Sequence, residues 1–378
     1  MEMQFRRVLW MAFAAAACAG PGTAGASDGV VGPGNCNAAG FASVLAAVDG
    51  SGGGTLSFNC GTATMALAGY QTIANTVTID GGGTITFDGG NASAFLQVFA
   101  SAHATLKRLT LQHGAYTGGV HALENFGTLT LDHVRVLANT SSDTPLANYG
   151  TLVVRSSNFS GNAASSASSG DGGAIAHSGT ALTVEASTFD ANTAGHQGGA
   201  IFASAPLSIV NSTFSGNSGA AGGGAIYQTG SGDSSVEYAT IVSNTATFGA
   251  GLYNDGGASS TLTVSRSIVA ANTSGNCDGV LSSGGYNLSD DTGCGAAFTG
   301  PGDLIGQTLP MGALADNGGP TRTQLPLAGN PAINHVPTGA CAIAVDQRGA
   351  GRPFGAGCDS GAVEVGGAID LIFANGFD

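Results

Sequence analysis

A phrase of about eleven residues recurs along this chain. It consists of an alternating apolar strand, a bulky apolar residue, two small residues and Asn. The copies end 23 to 30 residues apart, at Asn139, Asn162, Asn192, Asn217, Asn244 and Asn272. A second phrase of the GGAI type lies between several copies. This period fits one coil of a β-solenoid and is too short for a βαβ unit.

The repeat therefore predicts an all-β, right-handed parallel β-helix in which equivalent residues stack about 4.8 Å apart. Phe159, Phe189 and Phe214 are expected in one inward column, and a second inward column consists mainly of small residues such as Ser. The Asn column is expected to form a ladder inside a turn, where each amide hydrogen-bonds to the next coil. Asn also tolerates the left-handed backbone that tight corners need. The Gly-Gly pairs indicate corners with positive φ.

Two outward columns bear on function. Lys107, Asp132, Arg155 and Glu185 alternate in sign over successive coils, so attraction between neighbouring strands explains them without catalysis. The other column contains four threonines and is interrupted by Arg135 and Asn158. A smooth face of this kind favours binding over catalysis. Its threonines are Thr110, Thr188, Thr213 and Thr240.

The composition restricts the class of partner. Gly accounts for 64 of 378 residues and charged residues for only 9 %, which suits an extracellular solenoid and not a helical globule. The net charge of −14 and the ten scattered Lys and Arg residues argue against a nucleic-acid partner.

The first 26 residues read as a signal peptide. Arg6 and Arg7 precede a short apolar run over residues 8–17, and Ala24-Gly25-Ala26 is an A-x-A cleavage site. Lipoprotein processing before Cys18 is the alternative, although Ala15 occupies the position where Leu is usual. We expect an exported, secreted or surface-bound monomer with no transmembrane segment after cleavage.

Six cysteines remain after cleavage, and an even number in an exported chain indicates disulfides. They fall into three local pairs, which we expect to be Cys36–Cys60, Cys277–Cys294 and Cys341–Cys358. Apolar residues at helical spacing over residues 37–48 predict a short helix that caps the solenoid. The expected organisation is a cap over residues 27–60 and β-helix repeats over residues 61–313.

The C-terminal motifs are the most specific in the chain. They include DNGGPT from Asp316, NPAI from Asn330, DQRG from Asp346 and CDSGAVE from Cys358. This sequence, over residues 314–366, resembles the choice-of-anchor Q domain. The repeats, with STFxxN and GGAI, resemble those of polymorphic outer-membrane proteins and of pectin-lyase-like β-helices.

The resemblance implies that the tail at residues 367–378, which contains IDLIFANGFD, is a variable element used for retention or sorting. It carries no catalytic role for Asp346, Arg348, Arg352 or Asp359, which we interpret as buried pairs that satisfy an irregular backbone.

Lyase and hydrolase chemistry needs acids clustered on adjacent coils, and lyases also need a basic Arg or Lys. The best candidate cluster is Asp132, His133 and Arg135, provided that a bend lets Asp132 and Arg135 both face outward. His103, His121, His177 and His196 are isolated in predicted loops and indicate no metal site. Asp-Gly-Gly segments lack the spacing of calcium-binding turns, so we expect no cofactor and find no support for a structural Ca²⁺.

The sequence thus favours a secreted or surface protein that binds or adheres to glycans or other cell-surface material without catalysis. A polysaccharide lyase or glycoside hydrolase of pectin-lyase-like fold is the alternative.

Overall fold

The computed structural model describes residues 25–116, 121–257 and 260–367. This part of the chain forms the predicted right-handed parallel β-helix, with about ten coils and one α-helix near its N-terminal end. Most of the predicted signal peptide and the tail from residue 368 onwards lie outside the described residues. No helix in the described residues has the length and apolar character needed to cross a bilayer.

The largest sheet, sheet A, contains 19 strands in the described part of the chain. Its strands are Gly29–Val31, Gly53–Phe58, Ala63–Ala66, Thr76–Asp88, His103–Gln112, Thr128–Leu137, Thr151–Arg155, Asn158–Ser160, Ala181–Glu185, Thr188–Asp190, Leu207–Val210, Thr213–Ser215, Gly232–Glu237, Thr240–Val242, Ser260–Ser265, Ile268–Ala270, Leu281–Gly285, Leu288–Ser289 and Leu304–Ile305.

Two shorter parallel sheets complete the coils. Sheet B contains Gln71–Ile73, Leu96–Val98, Leu123–Asn125, Leu146–Asn148, Ile175–His177, Ile201–Ala203, Ile226–Gln228, Leu252–Asn254 and Cys277–Gly279. Sheet C contains Ala115–Tyr116, Thr140–Ser141, Ala163–Ala164, Thr193–Ala194 and Ser218–Gly219. An antiparallel pair, Val336–Pro337 with Gly357–Cys358, and a 3₁₀ turn at Thr338–Ala340 lie in the C-terminal region.

The repeated coils cross sheet A in two legs, separated by a bend at a residue with positive φ. His133 (φ 55°), Ser156 (φ 46°) and Ala186 (φ 50°) occupy this position on successive coils. The hydroxyl of Ser157 supports one bend, because it accepts from the Val134 amide at 3.0 Å and donates to the Arg155 carbonyl at 2.7 Å. The bend predicted between Asp132 and Arg135 is therefore confirmed.

The Asn ladder is present and fully buried over most of its length. Asn162 Nδ2 donates to Asn192 Oδ1 at 2.9 Å, and Asn192 Nδ2 donates in turn to Asn217 Oδ1 at 2.9 Å. The expectation that the Asn residues adopt a left-handed backbone is wrong. The corner turns at the residue before each of them, as at Ala191 (φ 53°), which leaves the Asn side chain inside the coil.

Apolar stacks fill the space inside the coils. Phe159, Phe189 and Phe214 are buried with ring centroids 4.6 and 4.9 Å apart, as the repeat predicted. At the corners, Gly172 has a φ of 68°, and a Cβ on Gly173 would lie 2.2 Å from the carbonyl oxygen of Gly199. The Gly-Gly pairs are therefore set by the close approach of successive coils.

The predicted capping helix spans Ala38–Gly50 and is N-capped by Asn37, whose Oδ1 accepts from the Gly40 amide. Phe41 packs on Phe87 at the N-terminal end of the core, with a centroid separation of 4.5 Å. Sheet A already begins within the predicted cap, because its first two strands lie at Gly29–Val31 and Gly53–Phe58. The three predicted disulfides are all formed.

The C-terminal region leaves the last coil and returns along the outside of sheet A. The Gln347 side chain donates to Thr188 Oγ1 at 2.9 Å and accepts from Thr213 Oγ1 at 2.6 Å. Further along the same face, the Gly361 amide donates to the Arg266 carbonyl at 2.8 Å. This region therefore covers part of sheet A. None of these contacts involves the outward face of sheet B.

Candidate functional site

The threonine column that favoured binding is largely covered. Thr110, Arg135, Asn158, Thr188, Thr213 and Thr240 do lie in register. However, Thr188, Thr213 and Thr240 are each at most 1 % exposed under the C-terminal region. Their hydroxyls are engaged by the Arg322 carbonyl, Gln347 and the Ala362 amide. This column is an internal interface at these three coils and not an open binding surface.

The candidate cluster Asp132, His133 and Arg135 is divided by the bend. Asp132 Oδ1 lies 2.7 Å from His133 Nδ1, and this hydrogen bond holds the pKa of Asp132 below its usual value, although burial acts to raise it. Arg135 lies on the following leg, in register with Thr110 and Asn158. The structure thus brings the first two residues together and places the third in the neighbouring outward column.

The charged residues of the C-terminal motifs form a buried network. Asp346 accepts from Arg348 Nη2 at 2.9 Å and from the Glu364 amide at 2.9 Å. Arg352 contacts Glu364 at 3.2 Å with both side chains fully buried. Burial raises the pKa of Asp359 to about 6, although it accepts from two backbone amides. These contacts satisfy an irregular backbone, as the sequence indicated.

Sheet B presents two aromatic columns on its outward face. The first aromatic column contains Phe99, Phe126 and Tyr149, which follow consecutive strands and are each more than 40 % exposed. The rings of Phe126 and Tyr149 stack with centroids 5.0 Å apart. The second aromatic column, on later coils, contains Phe202, Tyr227 and Tyr253, with centroid separations of 5.6 and 5.0 Å.

Both columns stop at the same place. The single coil between Tyr149 and Phe202 holds Ser178 at the position of the first column and Ala176 at the position of the second, and Ala147 occupies the second position on the coil of Tyr149. Tyr149 therefore ends the first column and Phe202 begins the second. Each of these two rings has one face without an aromatic neighbour in its own column. Both rings line a cleft of about 310 Å³, with Ala147 and Ala176 also in its wall.

Polar side chains surround this cleft. Tyr149 Oη lies 3.3 Å from His121 Nε2, while His121 Nδ1 lies 2.8 Å from the Thr144 carbonyl oxygen. Burial, together with the negative charges of Glu124 and Asp143, raises the pKa of Tyr149.

Two acids on adjacent coils also line the cleft. Asp143 Oδ1 accepts from Ser169 Oγ at 2.7 Å. Asp171 Oδ1 lies 2.8 Å from His196 Nδ1 and accepts from the Gln197 amide. The acids at this site are held by neighbouring donors and lie beside exposed aromatic surface.

His177, another cleft residue, belongs to a second buried ladder. Asn125 Nδ2 donates to Asn148 Oδ1 at 2.6 Å, and Asn148 Nδ2 lies 2.8 Å from His177 Nδ1. His177 Nε2 lies 3.1 Å from the Pro206 carbonyl oxygen, which makes it the protonated nitrogen. Burial lowers the pKa of His177. The expectation that this residue is isolated in a loop is wrong, because it ends a strand of sheet B.

The Asp and Glu residues around the cleft have no Lys or Arg neighbours on the same face in the described ranges. Glu124, Asp143, Asp171, Asp255 and Asp278 lie on or beside sheet B. The Lys and Arg residues within the described ranges lie elsewhere, in or next to sheet A strands or in the C-terminal region: Lys107, Arg108, Arg135, Arg155, Arg266, Arg322, Arg348 and Arg352. Within those same ranges, no three His, Cys, Asp or Glu side chains are grouped to hold a metal ion.

The aromatic columns were not predicted from the sequence, although the repeat contains their signal. The second phrase reads GGAIF, GGAIY and GAGLY, with Phe202, Tyr227 and Tyr253 at its last position. LENFG and LANYG place Phe126 and Tyr149 at another repeated position. Comparison with family profiles, curated proteins and solved structures gives no match to this chain.

Proposed function

We propose that this protein binds a glycan across the outward face of sheet B. The observation that carries the proposal is the interruption of the two aromatic columns at the cleft. Tyr149 and Phe202 each leave a ring face unstacked there, above the small side chains of Ala147 and Ala176. A sugar ring has a flat apolar face, and aromatic walls with a few polar groups are usual in ligand sites.

The polar groups around the cleft suit sugar hydroxyls. Asp143 and Asp171 offer carboxylate oxygens, and hydrogen bonds to charged acceptors are stronger than those between neutral groups. Their neighbours Ser169 and His196 hold them in position. A ligand could therefore stack on the rings and donate hydroxyl protons to the acids.

The cellular setting belongs to the same proposal. The chain is exported through the predicted signal peptide and acts outside the cell or at its surface, with residues 314–366 as the choice-of-anchor Q-like region. Three disulfides fit an extracellular protein. The glycan would then be environmental or belong to another cell surface.

The test compares binding of soluble oligosaccharides to the mature protein and to cleft variants by isothermal titration calorimetry. We expect Tyr149→Ala and Phe202→Ala to weaken binding at least about tenfold, which corresponds to about 1.4 kcal/mol. Ala176→Tyr should abolish binding by filling the gap between the columns. Phe354→Ala serves as the aromatic control, because Phe354 is exposed in the C-terminal region.

Unchanged binding in Ala176→Tyr, with circular dichroism showing an intact fold, would contradict the proposed site. Equal losses in Phe354→Ala and Tyr149→Ala would also count against it, since those losses would have no relation to the cleft.

Glycoside hydrolysis is the second candidate, favoured by the positions of Asp143 and Asp171 on adjacent coils of one cleft. Hydrolases use two carboxylates, one as acid and the other as base or nucleophile. Release of reducing ends, lost in both Asp143→Asn and Asp171→Asn, would support it. An uronate lyase is disfavoured at this cleft because such enzymes use an Arg or Lys base, and the described cations lie elsewhere.

A further inference from the structure

We infer that the glycan recognised at this cleft carries free amino groups, as in oligosaccharides of glucosamine, and is not a neutral or uronate chain. This inference rests on the proposed function and adds a charge class to it. The sheet B face is acidic, and part of its negative charge lies beside the open aromatic rings.

The acids follow the face over many coils. Glu124 lies in register with Ala147 in the cleft wall, and Asp278 lies in register with Tyr253 in the second column. Asp255 accepts from Tyr227 Oη at 3.0 Å, so a carboxylate lies beside that column as well. A surface lined by one sign of charge attracts ligands of the opposite sign and repels those of its own.

At the cleft itself, acids and aromatic rings are combined. Asp143 and Asp171 line the same space as the unstacked faces of Tyr149 and Phe202. An ammonium group is attracted both by carboxylates and by the face of an aromatic ring. A glucosamine unit carries its ammonium group next to its apolar ring face, so one residue of the ligand can use both kinds of contact.

The same arrangement disfavours acidic glycans. A uronate residue would bring a carboxylate toward Asp143 and Asp171 without a described Lys or Arg on this face to compensate. Like charges placed together in an interface oppose binding. A neutral N-acetylated sugar can still stack on the rings, but it has no positive charge to pair with the carboxylates.

The experiment compares hexasaccharides of glucosamine, N-acetylglucosamine and galacturonate by calorimetry on the mature protein. We expect the glucosamine chain to bind about tenfold more tightly than the N-acetylated chain at low salt. Salt screens charges that are partly exposed to solvent. We therefore expect 0.5 M NaCl, roughly five times the ionic strength at which the Debye length is about 10 Å, to remove most of this preference.

Because the protein is acidic overall, non-specific attraction of a polycation must be controlled. Asp143→Asn should reduce the preference to about twofold or less, whereas Asp316→Asn, with the same charge change at an exposed turn of the C-terminal region, should preserve it. An equal effect of the two variants would overturn the inference, because it would assign the preference to net charge alone.

The other outcomes separate the two proposals. Equal or tighter binding of the N-acetylated or galacturonate chain would overturn the inference and leave the proposed function standing. Failure of all three chains to bind would contradict the proposed function for these ligand classes, and the inference with it.

Discussion

Single buried polar residues hold the coils in register. Asn192 donates to the Phe159 carbonyl and to Asn217 Oδ1 at 2.9 Å each, and its own Oδ1 accepts from Asn162. No apolar side chain can replace these contacts. Asn158, in contrast, does not belong to the ladder. It lies in the outward threonine column, and its side-chain oxygen is buried without a hydrogen-bond partner.

We predict that Asn192→Ala destabilises the protein by about 1–3 kcal/mol, because it leaves buried partners unsatisfied on two coils. Asn158→Thr is the matched control and should be nearly neutral, since threonine is the usual residue of that column. Urea unfolding followed by circular dichroism measures both. Similar midpoints for Asn192→Ala and the wild type would show that the ladder contributes no stability.

The second ladder, formed by Asn125, Asn148 and His177, predicts that the stability of the protein depends on pH. Burial lowers the pKa of His177 in the folded protein, so below the ordinary value of about 6.5 the unfolded chain binds a proton that the folded chain excludes. The stability that neutral His177 contributes is therefore complete above that value and is lost as pH falls.

We expect His177→Asn, which continues the amides of Asn125 and Asn148, to reduce the loss of thermal stability between pH 7.5 and pH 5.5, a range of roughly one unit on either side of the ordinary histidine pKa. His103→Asn, at an exposed strand end, should leave this loss unchanged. If wild type and His177→Asn lost the same thermal stability over this pH range, the loss could not be assigned to His177.

At the scale of elements, the C-terminal region is attached to the β-helix by a buried polar network. The Arg352 side chain donates to the Gly361 carbonyl at 2.9 Å and lies 4.2 Å from the ring centroid of Tyr238, a residue of sheet A's bend. Its ion pair with Glu364 is fully buried, whereas the pair between Arg155 and Glu185 on sheet A is more than half exposed.

We predict that Arg352→Met destabilises the attachment by about 3–5 kcal/mol, because it leaves Glu364 buried and uncompensated. Hydrogen exchange should accelerate over residues 346–364 and at the Thr213 and Thr240 coils, while the Asn-ladder coils before Asn162 keep their protection. The control Arg155→Met should cost at most about 1 kcal/mol. Uniform acceleration along the whole chain would show that the region and the coils unfold together.

At the scale of the whole molecule, the two long faces of the β-helix differ in charge and in accessibility. Sheet A carries the cations among its strands and is partly covered by the C-terminal region. Sheet B carries aromatic rings and acids and retains the cleft. This asymmetry is the basis for proposing a glycan site on sheet B.

Much of this molecule follows from sequence because a solenoid is nearly one-dimensional. Each coil contacts its neighbours, so a repeat such as the six Asn residues predicts both the ladder and the strand register. The helix over residues 38–50 and the three disulfides were also predictable, because they depend on local periodicity and on pairs of cysteines 17 to 24 residues apart.

The candidate site was less accessible to sequence reasoning. The alternation of the Thr column with inward residues shows that it faces outward, but this local pattern does not show whether another segment covers it. The cluster around Asp132 was selected because charged residues are close together in the sequence, and sequence proximity does not show how the bend separates them. Tyr149 and Phe202, in contrast, are ordinary apolar residues in a repeat. Their proposed role depends on the absence of a ring at Ala176 and Ser178, which becomes visible only when the coils are stacked in register.

The sequence by itself thus determined the β-helix, its inward columns and its disulfides, because these arise from contacts that recur at one period along the chain. The tertiary structure decided which outward face is covered. That choice depends on contacts such as Thr213 with Gln347, which are 134 residues apart and follow no repeat. Because a long irregular segment has no periodic partner, only its packed position reveals that it covers sheet A and leaves the aromatic cleft of sheet B accessible.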